Sequence, residues 1–234
     1  MEVNYKNIKV IGFDADDTLW VNETYFREAE QEVQRLLSEY ETPNKIDQEL
    51  FRIEIKNLPL YGYGVKAFML SMVETALDLS NHTVPNKTIQ AILNIGKEML
   101  EKPVELLDGV QEVLEVLSQK YRLILATKGD LLDQERKLKK SGLTEYFHHI
   151  EVLSDKQEVN YSHLLNHLDI NPSEFLMVGN SLKSDVLPLV NIKAHAIHVP
   201  FHTTWAHEEV TEMEKNGKSY KTIRSLRELI SLLD

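Results

Sequence analysis

The chain has no cysteine among its 234 residues. That excludes disulfide bridges, thiolate metal sites and a cysteine nucleophile, and it fits a cytoplasmic setting. No stretch of about 18 consecutive apolar residues occurs, so no segment reads as a membrane-spanning helix. The opening Met-Glu-Val-Asn-Tyr-Lys lacks the basic-then-apolar order of a secretory signal, and the Asn-x-Thr sequons at Asn22 and Asn81 are then chance matches. No run of lysine and arginine builds a basic face. The net charge is −11, and the one cluster, Lys137, Lys139 and Lys140, falls on a polar helical stretch that reads as solvated. Neither nucleic acid nor a membrane is an expected partner. There is no internal repeat and no low-complexity tract. An acidic protein that handles an anion must build positive potential locally, from a metal ion, a lysine or backbone N–H groups.

What the chain does have is ordinary globular composition, 42% hydrophobic and 27% charged, and enough length to bury a full core. The apolar run Lys9 to Phe13 reads as a first strand. The next comparable run, Leu123 to Ala126, comes more than a hundred residues later. Strand-like runs then follow quickly, at His149–Leu153, Phe175–Val178 and Ala194–Val199, with Tyr220–Ile223 as a short last one. Helical stretches alternate with them at Gly109–Gln119, Leu131–Ser141, Tyr161–Leu168, Ser184–Val190 and Leu226–Leu233. Strand alternating with helix predicts an α/β fold, a doubly wound parallel sheet of Rossmann-like type with helices on both faces.

The interval between the first two strands is too long for a loop, since structureless connections beyond about 15 residues are uncommon. Its apolar residues Phe26, Ala29, Val33, Leu36 and Leu37 recur at helical spacing. Further helical patches cover Gln48–Ile55, Val65–Leu79 and Asn86–Leu100, with Pro43, Pro59, Asn81–Pro85 and Pro103 as punctuation. The expected organisation is a core of residues 1–20 and 103–234 and an inserted domain of four or five helices over 21–102.

The chemistry is read at the strand ends. The first strand runs straight into Asp14-Ala15-Asp16-Asp17-Thr18. Three clustered carboxylates are costly to bury, and Mg²⁺ is the obvious compensation. The second apolar run ends in Thr127-Lys128-Gly129, where a hydroxyl and a glycine suit a phosphate oxygen, though the same residues also make a plain turn. The third ends in Ser154-Asp155-Lys156, and the fourth in Gly179-Asn180-Ser181-Leu182-Lys183-Ser184-Asp185. An asparagine oxygen can ligate Mg²⁺ but brings no charge, so such a site should hold the metal more weakly.

Taken together, these four segments resemble the four motifs of the haloacid dehalogenase-like (HAD) phosphatase family, over roughly residues 7–20 and 103–200. The resemblance implies that Asp14 is a nucleophile and Asp16 a general acid and base. It implies that Lys156, 23 residues before Gly179, neutralises the transferring group. Gln157 stands where the family usually has proline, and Lys128 competes for the lysine role. Thr127, with Lys128, would meet the substrate phosphate. Mg²⁺ would be held by Asp14, the Asp16 backbone carbonyl, Asn180 in place of the usual aspartate, and Asp185 directly or through water. The insertion corresponds to an α-helical cap.

The implied activity is Mg²⁺-dependent hydrolysis of a small phosphorylated metabolite. Two alternatives remain open: a phosphomutase acting on a sugar phosphate, and a non-catalytic binding module that keeps the fold. His163 and His167 stand four apart, a zinc-compatible spacing, but no third ligand in register is evident. Tyr61-Gly62-Tyr63-Gly64 is either a substrate-facing loop or an apolar turn.

Overall fold

The computed structural model describes residues 5–234. Most of the N-terminal segment read above for a secretory signal lies outside them. Six strands, β1 (Val10–Phe13), β2 (Arg122–Lys128), β3 (His149–Leu153), β4 (Phe175–Gly179), β5 (His195–His198) and β6 (Lys221–Thr222), form one sheet in the order β3-β2-β1-β4-β5-β6. Every pairing is parallel. The first strand is central, which explains why its sequence is apolar without alternation. Successive side chains point to opposite faces. Ile11 and Phe13 pack with Val110, Leu114, Leu125 and Val178 on one side. Val10 packs with Ile124, Tyr161, Phe175 and Met177 on the other.

Register brings the motifs to one edge. Phe13 lies opposite Leu125 on β2 and Val178 on β4. The residues that follow, Asp14, Thr127 and Asn180, therefore emerge side by side at the C-terminal edge. The Asp14 N–H donates to Val178 O at 2.9 Å, extending the ladder by one step. On this core lie α5 (Val110–Leu117), α6 (Leu131–Ser141), α7 (Glu158–His167), α8 (Leu187–Asn191), α9 (Glu212–Lys215) and α10 (Glu228–Leu232).

The chain divides into two compact units. One is the sheet unit, comprising residues up to Glu23, Val104–Lys128 and Glu135–Asp234. The other comprises Thr24–Pro103 and also Gly129–Gln134, a short segment the sequence places with the core. Its attachment is the Lys66–Asp130 ion pair, 2.9 Å, within the second unit. The second unit contains most of α1 (Glu23–Leu37), with α2 (Pro43–Tyr61), α3 (Val65–Leu79) and α4 (Asn86–Glu101). Val33, Leu37, Ile46, Leu50, Phe68, Met72 and Ile92 form its own buried core.

Two helices depart from the sequence pattern. The second begins at Pro43 and runs through Pro59, rather than spanning Gln48–Ile55. Pro43 fits a first helical turn, where its missing N–H is not needed, and Pro59 falls in the last turn, where little helix remains to break. The stretch Ser184–Val190 is not one α-helix but a π-turn, Leu182–Val186, followed by α8. Such widened turns recur at functional sites.

Asp17 holds the exit from this edge. Its backbone is left-handed, with φ at 61°. Its carboxylate accepts the N–H groups of Asn22 at 2.8 Å and Glu23 at 2.9 Å, where α1 begins. Replacing it by alanine removes the cap and leaves a Cβ in a strained conformation. Asp17→Ala is expected to lower stability by about 1–2 kcal/mol. Asp17→Asn should cost far less, because asparagine keeps an acceptor and tolerates left-handed backbone. Urea unfolding of the two variants checks this, and equal losses would remove the capping role.

Candidate active site

Every group described here belongs to the sheet unit. Asp14, 6% exposed, stands at the end of β1 with its carboxylate between two partners. The Thr18 hydroxyl donates to Asp14 Oδ2 at 3.0 Å, and Lys156 Nζ donates to Asp14 Oδ1. The same Thr18 oxygen accepts the Asn180 N–H at 3.0 Å and lies 3.3 Å from Asn180 Oδ1. Thr18 thus ties the first motif to the fourth, a role the sequence reading did not assign it.

Lys156 is fully buried and shared by two acids. Besides Asp14 it donates to Asp185 Oδ1 at 2.6 Å. Burial works against its charge, but Asp14 and Asp185 outweigh burial and hold the ammonium well above the usual lysine value. Burial conversely pushes the Asp14 carboxyl up, against the pull of Lys156 and with a further push from Asp185. Gln157, where the family usually has proline, begins α7. Its N–H donates to Asn160 Oδ1 at 3.1 Å, a bond that proline could not make.

Asp185 is brought back over the end of β4 by the π-turn. Its Oδ2 accepts the Ser181 N–H at 3.0 Å. A Cβ on Gly179 would lie 2.3 Å from the Asp185 carboxyl, so only glycine lets the acid fold across. Asp185 thereby joins Lys156 on one oxygen to the turn after β4 on the other. Asn180 is held on a third side, since His198 Nε2 donates to its carbonyl at 3.0 Å. Burial lowers the pKa of that imidazole, against the pull of the carbonyl.

Asp16 sits beside Asp14 with Oδ1 accepting from Trp20 Nε1 at 2.7 Å and from Lys137 Nζ. Lys137, read from the sequence as part of a solvated face, is thus part of the site. Lys139 and Lys140 do remain exposed. Lys139, two residues on, points to the other side of the helix, and clustering in sequence hid the difference.

Thr127 is buried at the end of β2, with its hydroxyl donating to the Lys128 carbonyl at 3.2 Å. Lys128 differs from expectation. Rather than offering its charge to a substrate phosphate, its Nζ donates to Glu208 Oε1 at 2.7 Å and Ser184 Oγ at 2.8 Å. Glu208 also accepts from Ser181 and Ser184 hydroxyls. Burial pushes this acid up, but Lys128 and the two serines hold it at about 2. No motif marked Glu208. The only available signal was an acid ten residues beyond β5, a strand that ends at the same edge.

The site suits Mg²⁺ by its donor chemistry. Asp14 and Asn180 offer hard oxygens near one hydroxyl, and two buried carboxylates share a single lysine, leaving negative charge for a cation to balance. Among the described residues no three His, Cys, Asp or Glu side chains form a metal cage, the His163–His167 pair included. A donor set for Mg²⁺ would instead combine Asp14 with the Asn180 amide oxygen and a backbone carbonyl. Among the described residues no helix is long and apolar enough to cross a membrane.

The family model of haloacid dehalogenase-like hydrolases matches residues 8–192. Among solved structures, a haloacid dehalogenase-like family hydrolase from Xanthomonas campestris is 35% identical, with a TM-score of 0.86 over 97% of this chain and 92% of that one. A HAD-hydrolase from Bacillus subtilis, solved bound to magnesium, is 18% identical with a TM-score of 0.65, covering 97% and 99% of the two chains. A 2-haloacid dehalogenase from Pseudomonas syringae pv. Tomato is 20% identical with a TM-score of 0.62, covering 97% and 98%. No curated protein matches the sequence.

Proposed function

The chain belongs to the haloacid dehalogenase-like hydrolases, and from that premise we propose that it hydrolyses a small phosphate monoester with Mg²⁺. The observation that carries the reading is the second carboxylate: Asp16, oriented by Trp20 and Lys137, stands two residues from Asp14. Release of an alkoxide needs a proton, and a positioned acid supplies it. Release of a halide does not.

In this reading Asp14 attacks phosphorus and forms an aspartyl-phosphate, dividing one displacement into two. Asp16 protonates the leaving oxygen and afterwards takes a proton from the attacking water. Lys156 balances charge on the equatorial oxygens, aligned by Asp185, and Thr127 offers a hydroxyl to the phosphate. Phosphoryl transfer depends mainly on such positioning and electrostatics. Bound by Asp14, the Asp16 carbonyl and Asn180, Mg²⁺ would supply further positive charge to the transferring group. Substrate choice is assigned to the helical unit, which carries none of these motifs.

The test is release of inorganic phosphate from aryl and alkyl phosphates, with Mg²⁺ and with EDTA, beside halide release from a 2-halo acid. Phosphate release that requires Mg²⁺ is expected, and metal-independent halide release alone would overturn the reading. Within the active protein, Asn180→Asp adds a charge opposite the cation. Such a change is worth on the order of 1 kcal/mol, so half-saturating Mg²⁺ should fall several-fold. Asn180→Ala should raise it. If neither variant moves the half-saturation point, Asn180 is not a ligand.

A further inference from the structure

Glu208 is a largely buried acid that the proposed chemistry does not use. It lies in the short 3₁₀ turn Ala206–Glu208, on the connection that follows β5. Its side chain is 13% exposed, as is that of Lys128. One carboxylate oxygen takes the Lys128 ammonium, from the end of β2. The other takes the hydroxyls of Ser181 and Ser184, from the turn after β4. Ser181 Oγ in turn accepts the Ser184 N–H at 3.0 Å, and Tyr161 Oη donates to the Ser184 carbonyl at 3.0 Å. A side-chain bond to the backbone adds to the attachment, with Lys183 Nζ donating to the His207 carbonyl at 2.6 Å.

The residues gripped are not arbitrary. Lys128 follows Thr127, Ser181 follows Asn180, and Ser184 precedes Asp185. One carboxylate from a third connection therefore fastens the neighbours of three site residues. It also neutralises the one lysine next to Thr127 that could otherwise compete for an anion.

We propose that Glu208 is a positioning residue: it locks the turn after β4 to the end of β2, so setting Asn180 and Asp185 for the metal and for Lys156, and it withdraws the charge of Lys128 from the phosphate. The proposal rests on the Mg²⁺-dependent phosphatase reading. Glutamine at this position keeps the volume but loses the charge and one acceptor, so the serine hydroxyls must turn and the Lys128–Glu208 ion pair is lost.

The experiment compares wild type, Glu208→Gln, Glu208→Asp and the double variant Lys128→Met/Glu208→Gln. Mg²⁺ alone is titrated into each resting protein by calorimetry, and kcat and KM are measured separately on an aryl phosphate. Glu208→Gln is expected to bind Mg²⁺ roughly tenfold more weakly, the scale on which outer partners of metal ligands act, with kcat lowered and KM unchanged or reduced. The double variant, with the lysine charge also gone, should recover part of the Mg²⁺ affinity. Glu208→Asp, which keeps the charge on a shorter arm, should fall between wild type and Glu208→Gln.

Folded Glu208→Gln with wild-type Mg²⁺ affinity and kcat would overturn the proposal. If that variant does not fold, Glu208→Asp with wild-type values overturns it equally. A wild type that binds Mg²⁺ but releases no phosphate, with weaker binding in Glu208→Gln, would defeat the phosphatase reading and leave the positioning role standing.

Discussion

Asp14→Asn is expected to lower phosphate release by roughly four orders of magnitude or more, the scale on which removing a nucleophile acts. It should do so in a protein that folds normally. An amide at this position can keep both present contacts. Its oxygen accepts from Lys156, and its NH₂ donates to Thr18, whose own proton can turn to Asn180 Oδ1, 3.3 Å away. The charge balance also improves, because Lys156 then faces Asp185 alone instead of two buried carboxylates. The melting temperature in EDTA should therefore equal or exceed that of wild type. Turnover within tenfold of wild type would rule out Asp14 as nucleophile, whereas loss of fold would mean that its charge is structural.

That balance also explains what the sequence could and could not disclose. The edge was legible because β1, β2 and β4 are largely apolar runs that give way to polar residues, and β1 is flanked by β2 and β4 in register. Asp14, Thr127, Lys156 and Asn180 needed only that pattern to be placed. Glu208 and Lys137 were not legible, since their partners lie 80 and 121 residues away and no periodicity connects them. The Lys128–Glu208 pair was hidden for the same reason: without Glu208 in view, a lysine after a strand-end threonine shows no partner. The π-turn was hidden because Ser184 to Val190 reads as one helix, whereas Asp185 folds back over Gly179 and Pro188 has no N–H to bond the Ser184 carbonyl, which takes Tyr161 Oη instead. The helical insertion showed its periodicity plainly, while the membership of Gly129–Gln134 in that unit is a matter of contacts that no local pattern encodes.

The opposite substitution should be far more damaging. Lys156→Met removes the lysine that Asp14 and Asp185 share, in a cluster where Lys156 and Asp185 are 1% exposed and Asp14 6%. Two carboxylates would then face each other without a counter-charge, and stripping one partner from a buried ion pair costs about 3–5 kcal/mol. Phosphate release should fall by about a hundredfold to a thousandfold in whatever protein remains folded, since a preorganised donor to the transferring group is lost. The two effects are separable. Adding Asp14→Asn to Lys156→Met removes one of the two unpaired acids, so the double variant should be more stable than Lys156→Met alone, although without its nucleophile it should not turn over. Urea unfolding in EDTA measures the cycle, and a coupling of about 1 kcal/mol or more is expected for groups in direct contact. If Lys156→Met loses less than that and the double variant gains nothing, the lysine does not hold the acids together and their charges must be balanced from elsewhere.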